Sequence, residues 1–294
     1  MVGDLDTELK RGLDEAGAVV HLATSTPSTP TAATGDVDVA RNVLDAASAA
    51  SVRQVVLLSD ATVYGAWANN PVPLTEDAVL RPNTGFPYAA ERAEIERLAA
   101  EWRAAHPGSR VAVLRPVRTR GHSDWMIRAL RPAPAVPEHA DEPPVQFLDL
   151  DDLASAVVLA VQNELDGAFN VAPDGSIRGD EVRALTGSGP RVRLPDRLAA
   201  RVATLRFRSG LGPTPPELVP YTLHPWLVAN DRLRAEGYAP QVTNEEACVD
   251  AHEVGPWATM SPRRRQEIAL GVAGTALAGA LAGGALALRR FLKR

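Results

Sequence analysis

Unbroken apolar runs alternate with segments of helical period through the first 121 residues. Asp36 to Ala50 places Val39, Val43 and Ala46 or Ala47 on one face at spacings of three and four, which predicts a helix. Ser51 to Ser59 carries four consecutive apolar residues, Val55 to Leu58, the pattern of a parallel strand covered on both faces. Tyr88 to Ala105 returns to the helical period, with Ile95, Leu98 and Trp102 on one stripe and charged residues opposite. Pro107-Gly108 ends it. This alternation predicts a doubly wound α/β sheet.

Beyond Gly121 the pattern breaks up. Pro132, Pro134, Pro137, Pro143 and Pro144 interrupt it, as loops of a small second region would. Asp151-Asp152 precedes the apolar run L-A-S-A-V-V-L-A-V, and one of the two is expected to cap a helix rather than to act in catalysis. Asp196 to Ser209 alternates Arg197, Arg201, Arg206 and Arg208 with Leu198, Val202 and Leu205. Such a helix either presents arginines to an anionic membrane or a nucleotide diphosphate, or keeps a solvated arginine face over a small core.

Ile268 to Leu288 contains no charge, with Arg263 to Arg265 before it and Arg289, Arg290, Lys293 and Arg294 after. A helix of that length spans about 31 Å, close to the hydrocarbon thickness of a bilayer. Its composition is thin in large apolar residues and carries five glycines, two of them in Gly279-x-x-x-Gly283, a spacing that allows close helix pairing in lipid. A membrane-spanning or membrane-embedded tail is the expectation, with a cytoplasmic domain held at the membrane through its C-terminus. The four expected regions are 1–121, an incomplete dinucleotide-binding region; 122–250, a substrate-binding region with strands returning to the sheet; 251–267, a linker; and 268–288, the tail.

The 294 residues are 45% apolar, enough for one large core or two moderate ones, and the net charge of −5 gives no electrostatic footprint for nucleic acid. Cys248 is the single cysteine, so no intramolecular disulfide forms and a reducing compartment suits the chain. His21, His106, His122, His139, His224 and His252 lack metal-ligand spacing, and no metal site is expected. Only Lys10 and Lys293 are lysines among 31 basic residues, a bias that bears on Arg92 below.

The most informative stretch runs from Ser59 to Glu96: V-V-L-L closes on S-D-A-T-V-Y-G, and Y-A-A-E-R-A-E-I-E follows. It resembles the active-site segment of the extended short-chain dehydrogenase/reductases, the family of nucleotide-sugar epimerases and dehydratases. Further landmarks agree in order: A-V-V-H-L-A (Ala18 to Ala23), R-N-V-L-D-A-A (Arg41 to Ala47), L-R-P (Leu114 to Pro116) leading to Gly121, F-L-D-L-D-D-L-A (Phe147 to Ala154), G-A-F-N-V (Gly167 to Val171) and E-G-Y-A-P (Glu236 to Pro240). The resemblance implies a Rossmann-like sheet, NAD or NADP as cofactor and a small-molecule substrate such as a nucleotide-linked sugar, and it leaves a homodimer open.

In that family a Y-x-x-x-K motif supplies a tyrosine that exchanges a proton with the substrate and a lysine that holds the cofactor ribose, while a Ser or Thr hydroxyl orients the substrate. Tyr88 and Glu96 match the pattern; Arg92 stands where the family has Lys, and Asp60 where it has Ser or Thr. Arg92 supplies the positive charge but no proton relay. Asp60 opposes a phenolate at Tyr88. Asp60 and Arg92 are expected to pair with each other, and Thr62 is the substitute hydroxyl, because Ser59 faces the other side of the sheet from Asp60. The resemblance adds Asp4 and Leu5 beside the adenine and His21, Leu22 and Ala23 along the cofactor, with Tyr88 and Arg92 at its reactive end.

No G-x-x-G-x-x-G occurs near the start, where such a fold cradles a pyrophosphate; Gly271, Gly274 and Gly279 in the tail are a false match. The expectation is a chain that begins at the third strand of the family's fold, from a fragment or misassigned start or from natural loss, with cofactor binding weak or absent. Two functions stay open: an NAD(P)-dependent epimerase/dehydratase-like oxidoreductase near a membrane, and a non-catalytic relative acting as a binding or scaffold protein.

Overall fold

The structure, a computed structural model, describes residues 12–13, 16–22, 35–131, 133–138, 142–188, 192–252, 260–268 and 270–271. In chain order its elements are β1 (Ala18–His21), α1 (Asp36–Ala49), β2 (Gln54–Leu58), a 3₁₀ turn (Ala61–Tyr64), α2 (Pro87–Ala105), β3 (Arg110–Pro116), β4 (Arg118–Thr119), α3 (Asp124–Ala129) and β5 (Ala135–Pro137). There follow β6 (Phe147–Leu148), α4 (Leu150–Gln162), β7 (Gly167–Val171), α5 (Gly179–Leu185), β8 (Val192–Leu194), α6 (Asp196–Arg208), a second 3₁₀ turn (Pro216–Leu218), α7 (Pro220–Leu223), α8 (Asp231–Ala235) and α9 (Asn244–Ala251).

The main sheet has the order β1-β2-β3-β7, and every pairing is parallel. Because side chains alternate across a strand, β2 feeds two cores. Val55 and Leu57 pack with Ala40, Leu44 and Ala47 of α1 and Ile95, Ala99 and Trp102 of α2. Val56 and Leu58 face the other way, toward Leu153, Ala156 and Ala160 of α4. That is the continuous burial expected of residues 55–58, and it makes the sheet doubly wound. Trp102 ties the first layer together, donating from Nε1 to Leu44 O at 2.9 Å and to Ser48 Oγ at 2.7 Å.

The C-terminal ends of β2 and β3 carry the chain toward a smaller assembly. There β4 pairs with β6, β5 with β8, and Ile127, Phe147, Ile177, Val182, Ala247 and Cys248 form a separate core. Among the described residues β1 is an edge strand of this sheet, with Val20 and, just beyond the strand, Leu22 exposed.

Three expectations change. The cap of α4 is Asp149, whose carboxylate accepts from Asp151 N at 2.8 Å, while Asp152 accepts from Gln241 N and Val242 N and so pins the later loop to this helix. In α6 the leucine stripe is not the buried side: Leu198 and Leu205 are exposed, and Ala199 is buried. The expected linker 251–267 is helical over 262–268. Asp4, Leu5, Ala23 and residues 272–288 of the apolar tail lie outside the described residues. Among those described, no helix is long and apolar enough to cross a membrane.

Candidate active site

Tyr88 is the second residue of α2, which opens with Pro87, a residue whose fixed φ suits a first helical turn. Arg92 follows one turn later on the same face, and its guanidinium carbon stands 4.8 Å from the centroid of the Tyr88 ring. Both side chains are buried, Arg92 with no exposed surface at all. The rings of Phe86, Trp125 and Tyr221 surround them, with Tyr88 5.8 Å from Phe86 and 5.2 Å from Trp125.

Asp60 lies two residues past the end of β2 and caps the 3₁₀ turn, its Oδ1 accepting from Thr62 N at 2.8 Å. Burial pushes the Asp60 carboxyl up to about 6, against the opposing effects of the Thr62 hydrogen bonds, the Arg92 charge and the Tyr88 hydroxyl. Tyr88 is raised above the ordinary phenol range, by burial first and by the Asp60 charge second, with Arg92 opposing. Thr62 is fully buried on the same turn, and its Oγ1 has no well-formed hydrogen bond. Its carbonyl accepts from the Tyr221 hydroxyl at 3.0 Å.

The expected Asp60–Arg92 ion pair is not formed. Arg92 Nη2 instead binds the carboxylate of Asp36, the first residue of α1, and both partners are buried. The reason is position. Asp36 gains from the unsatisfied N–H groups at its helix terminus, and Asp60 is already committed to its own turn. Ser59 Oγ donates to Glu96 Oε1 at 2.5 Å, two turns along α2 from Tyr88.

Glu96, a landmark of the motif, opens a buried network. Arg115 binds it with Nη2 to Oε2 at 2.6 Å, and Arg115 Nη1 donates to the Tyr64 hydroxyl at 2.6 Å. Tyr64 donates in turn to Asn170 Oδ1 at 2.7 Å. The network joins the segment after β2, with its 3₁₀ turn, to α2, β3 and β7. Its glycine neighbour, Gly65, has φ +70°, and a Cβ there would collide with Arg81 O and the Trp67 ring.

His21 and His122 complete the cluster. His21, at the end of β1, is lowered by burial, then by Arg92, while Asp36 raises it; His122 is pushed down to about 4 by burial and by Arg92. Both imidazoles are therefore neutral at pH 7, and the Nε2 atom of each is buried without a partner. Arg92 Nε and Nη1 are unpartnered as well. His21, Thr62, Tyr88 and Arg92 thus lie near one another at the C-terminal ends of β1 and β2, where parallel α/β sheets bind ligands, while Leu22 follows β1 and is exposed. Sequence reasoning missed Asp36 and His122. The acidic first turn of α1 was a signal for the former; nothing local marks the latter.

Among the described residues no cluster of His, Cys, Asp and Glu could hold a metal ion. The orphaned donors of Arg92 and the histidine nitrogens fit the ribose and amide of a nicotinamide nucleotide.

Comparison with known proteins decides the family. Residues 4–172, more than half of the chain, match the model of the NAD dependent epimerase/dehydratase family. The chain belongs to this family. The curated relatives include an uncharacterized protein of Mycobacterium tuberculosis, 27% identical over 224 residues, covering 71% of this chain and 59% of that protein. This epimerase/dehydratase-family chain therefore spans under two thirds of the length of the curated relatives it matches. Its fold is that of the Thermus thermophilus UDP-glucose 4-epimerase solved with NAD, at a TM-score of 0.56 and 18% identity, covering 83% of this chain and 79% of that one. It is similar also to RMD from Pseudomonas aeruginosa complexed with NADPH, at a TM-score of 0.55 and 19% identity, covering 82% and 84%.

Proposed function

We propose that the chain carries the reactive half of an NAD(P)-dependent oxidoreductase site that works as a proton donor on a hydroxylated or carbonyl substrate, nucleotide-linked sugars being the reference class among the solved neighbours. The observation that carries this reading is the pairing of Tyr88 with the cation Arg92 among buried polar atoms that have no partner. A bound nicotinamide nucleotide would supply or accept the hydride. Arg92 Nε and Nη1 and His21 Nε2 are the groups that would hold its ribose and amide.

The chain's own residues set the direction of proton movement. Burial and Asp60 both disfavour the Tyr88 phenolate, so the hydroxyl keeps its proton at neutral pH and is poised to give it to a developing alkoxide. Asp60 keeps that proton in place, and Thr62 Oγ1 supplies a hydroxyl beside the reacting oxygen. The aromatic wall of Phe86, Trp125 and Tyr221 excludes water. Carbonyl reduction is thus favoured over alcohol oxidation. The weak or absent cofactor affinity expected from the sequence is kept as part of this proposal, as is membrane attachment through residues 268–288 of a cytoplasmic domain.

A second reading, a non-catalytic relative, is favoured by one observation: Arg92 has no exposed surface and is engaged by Asp36. The two separate on activity. The full chain is mixed with NADH or NADPH and a UDP-4-keto-sugar, and loss of the reduced-nicotinamide absorbance is followed. Turnover that falls at least a hundredfold in Tyr88→Phe supports the oxidoreductase; an equal rate in the two proteins contradicts it.

A further inference from the structure

A cavity of about 550 Å³ lies beside the site, within the 300–1,000 Å³ range of small-molecule pockets. Tyr221 lines it and links it to the site, since the Tyr221 hydroxyl donates to Thr62 O. The walls are apolar: Ile127, Leu130, Val136, Phe147, Val182 and Ala203. The hydroxyls present are already satisfied within the chain, Thr214 Oγ1 by Ala129 O and Thr222 Oγ1 by Val219 O. Glu142 is paired with Arg183 at 3.4 Å. A base and a ribose would find few partners on such walls.

Two arginines, Arg118 and Arg131, break the pattern, and Arg118 is the buried one. Arg118, on β4, is buried, with its guanidinium carbon 5.0 Å from the Trp226 ring and 5.6 Å from the Phe147 ring. Its one hydrogen bond, from Nη2 to Tyr221 O, is long at 3.5 Å, and its Nε is buried without a partner. Among the described residues it joins no ion pair. The neighbouring Cys248 thiol, pushed up to about 11 by burial, carries no compensating charge at pH 7, and Asp60 acts on Arg118 only through space. A buried cation without a counterion is costly, and an anion that enters with an apolar body removes the cost.

We infer that this cavity binds an anionic amphiphile, its carboxylate on Arg118 and its apolar chain along the wall formed by α3, β5 and α6. This goes beyond the reading above: it assigns the neighbouring cavity an occupant other than the nucleotide-linked sugars of the solved neighbours, and it rests on that reading only for the site the cavity adjoins. Arg131 also lines the cavity, but the mainly apolar wall, which leaves a base and a ribose without partners, suits a carboxylate on a hydrocarbon body better than a nucleotide diphosphate.

The test is calorimetric titration of the full chain, without any nicotinamide nucleotide, with dodecanoate, dodecanol, acetate and UDP-glucose. Dodecanoate should bind at least tenfold more tightly than dodecanol and than acetate, and Arg118→Gln should erase the preference over dodecanol. Ala203→Trp, which fills the cavity and leaves Arg118 in place, should abolish dodecanoate binding with an unchanged unfolding midpoint, and it decides the matter where Arg118→Gln does not fold. Equal affinity for dodecanoate and dodecanol, tighter binding of UDP-glucose than of dodecanoate, or dodecanoate binding retained in Ala203→Trp would overturn the inference. Because no cofactor is present, such a failure leaves the role of Tyr88 to its own assay.

Discussion

Arg92 is held by Asp36 and not by Asp60, so the cation of the altered motif is tied to the start of α1 while the carboxylate beside Tyr88 is left to cap its own turn. Fifty-six positions separate the partners, and both are buried. Removing one partner of a buried pair strands the other charge, at a cost of about 3–5 kcal/mol. Asp36→Asn should therefore lower the unfolding free energy by about 3 kcal/mol in urea, and a loss below about 1 kcal/mol would show that the pair contributes little.

Asp60 makes stability depend on pH in a direction opposite to that of most carboxylates. Its folded value, pushed up to about 6, exceeds the ordinary 3.8 of the free side chain, so the folded state binds the proton more tightly. The folded state is then favoured below about pH 4 and loses that advantage as pH rises to about 6, by about 3 kcal/mol at full extent. Asp60→Asn keeps an acceptor for Thr62 N and removes the titration. The stability difference between the two proteins, followed from pH 4 to pH 7, should move in favour of the Asn form as pH rises; a flat difference would refute the assignment. His21 and His122 are common to both proteins and drop out of it.

The network around Glu96 should behave as a unit. In a double-mutant cycle of Glu96→Gln and Arg115→Met, unfolding free energies should show a coupling of about 1–3 kcal/mol, because the two side chains share a buried bidentate contact. Additive losses would mean that the contact is incidental.

Gly65 explains one landmark of the motif. Its φ of +70° and the collision a Cβ would make with Arg81 O mean that Gly65→Ala must shift the 3₁₀ turn carrying Thr62. A loss of about 1–3 kcal/mol in stability is expected from thermal unfolding, and an unchanged midpoint would contradict it.

The sheet was legible because its period is local: residues 55–58 announce a buried strand, and α2 shows its stripe of Ile95, Leu98 and Trp102. The pairing within the candidate site was not legible. Tyr88 and Arg92 share a helix face as their spacing implies, whereas Arg92 chose a partner on another helix, and no local pattern encodes such a choice. The cap of α4 was misread by two or three positions because three acidic residues, Asp149, Asp151 and Asp152, compete there and only the backbone path decides. The leucines of α6 misled for a related reason: small alanines face the cavity and the larger residues point out.

The central claim is that Arg92 and Tyr88 form the nicotinamide end of a redox site. Fluorescence titration of the full chain with NADH and NADPH, beside Arg92→Met, tests it most directly. The account predicts binding weaker than about 10 µM, near −7 kcal/mol, that weakens at least fivefold further in Arg92→Met. Superimposable titrations of the two proteins would contradict it.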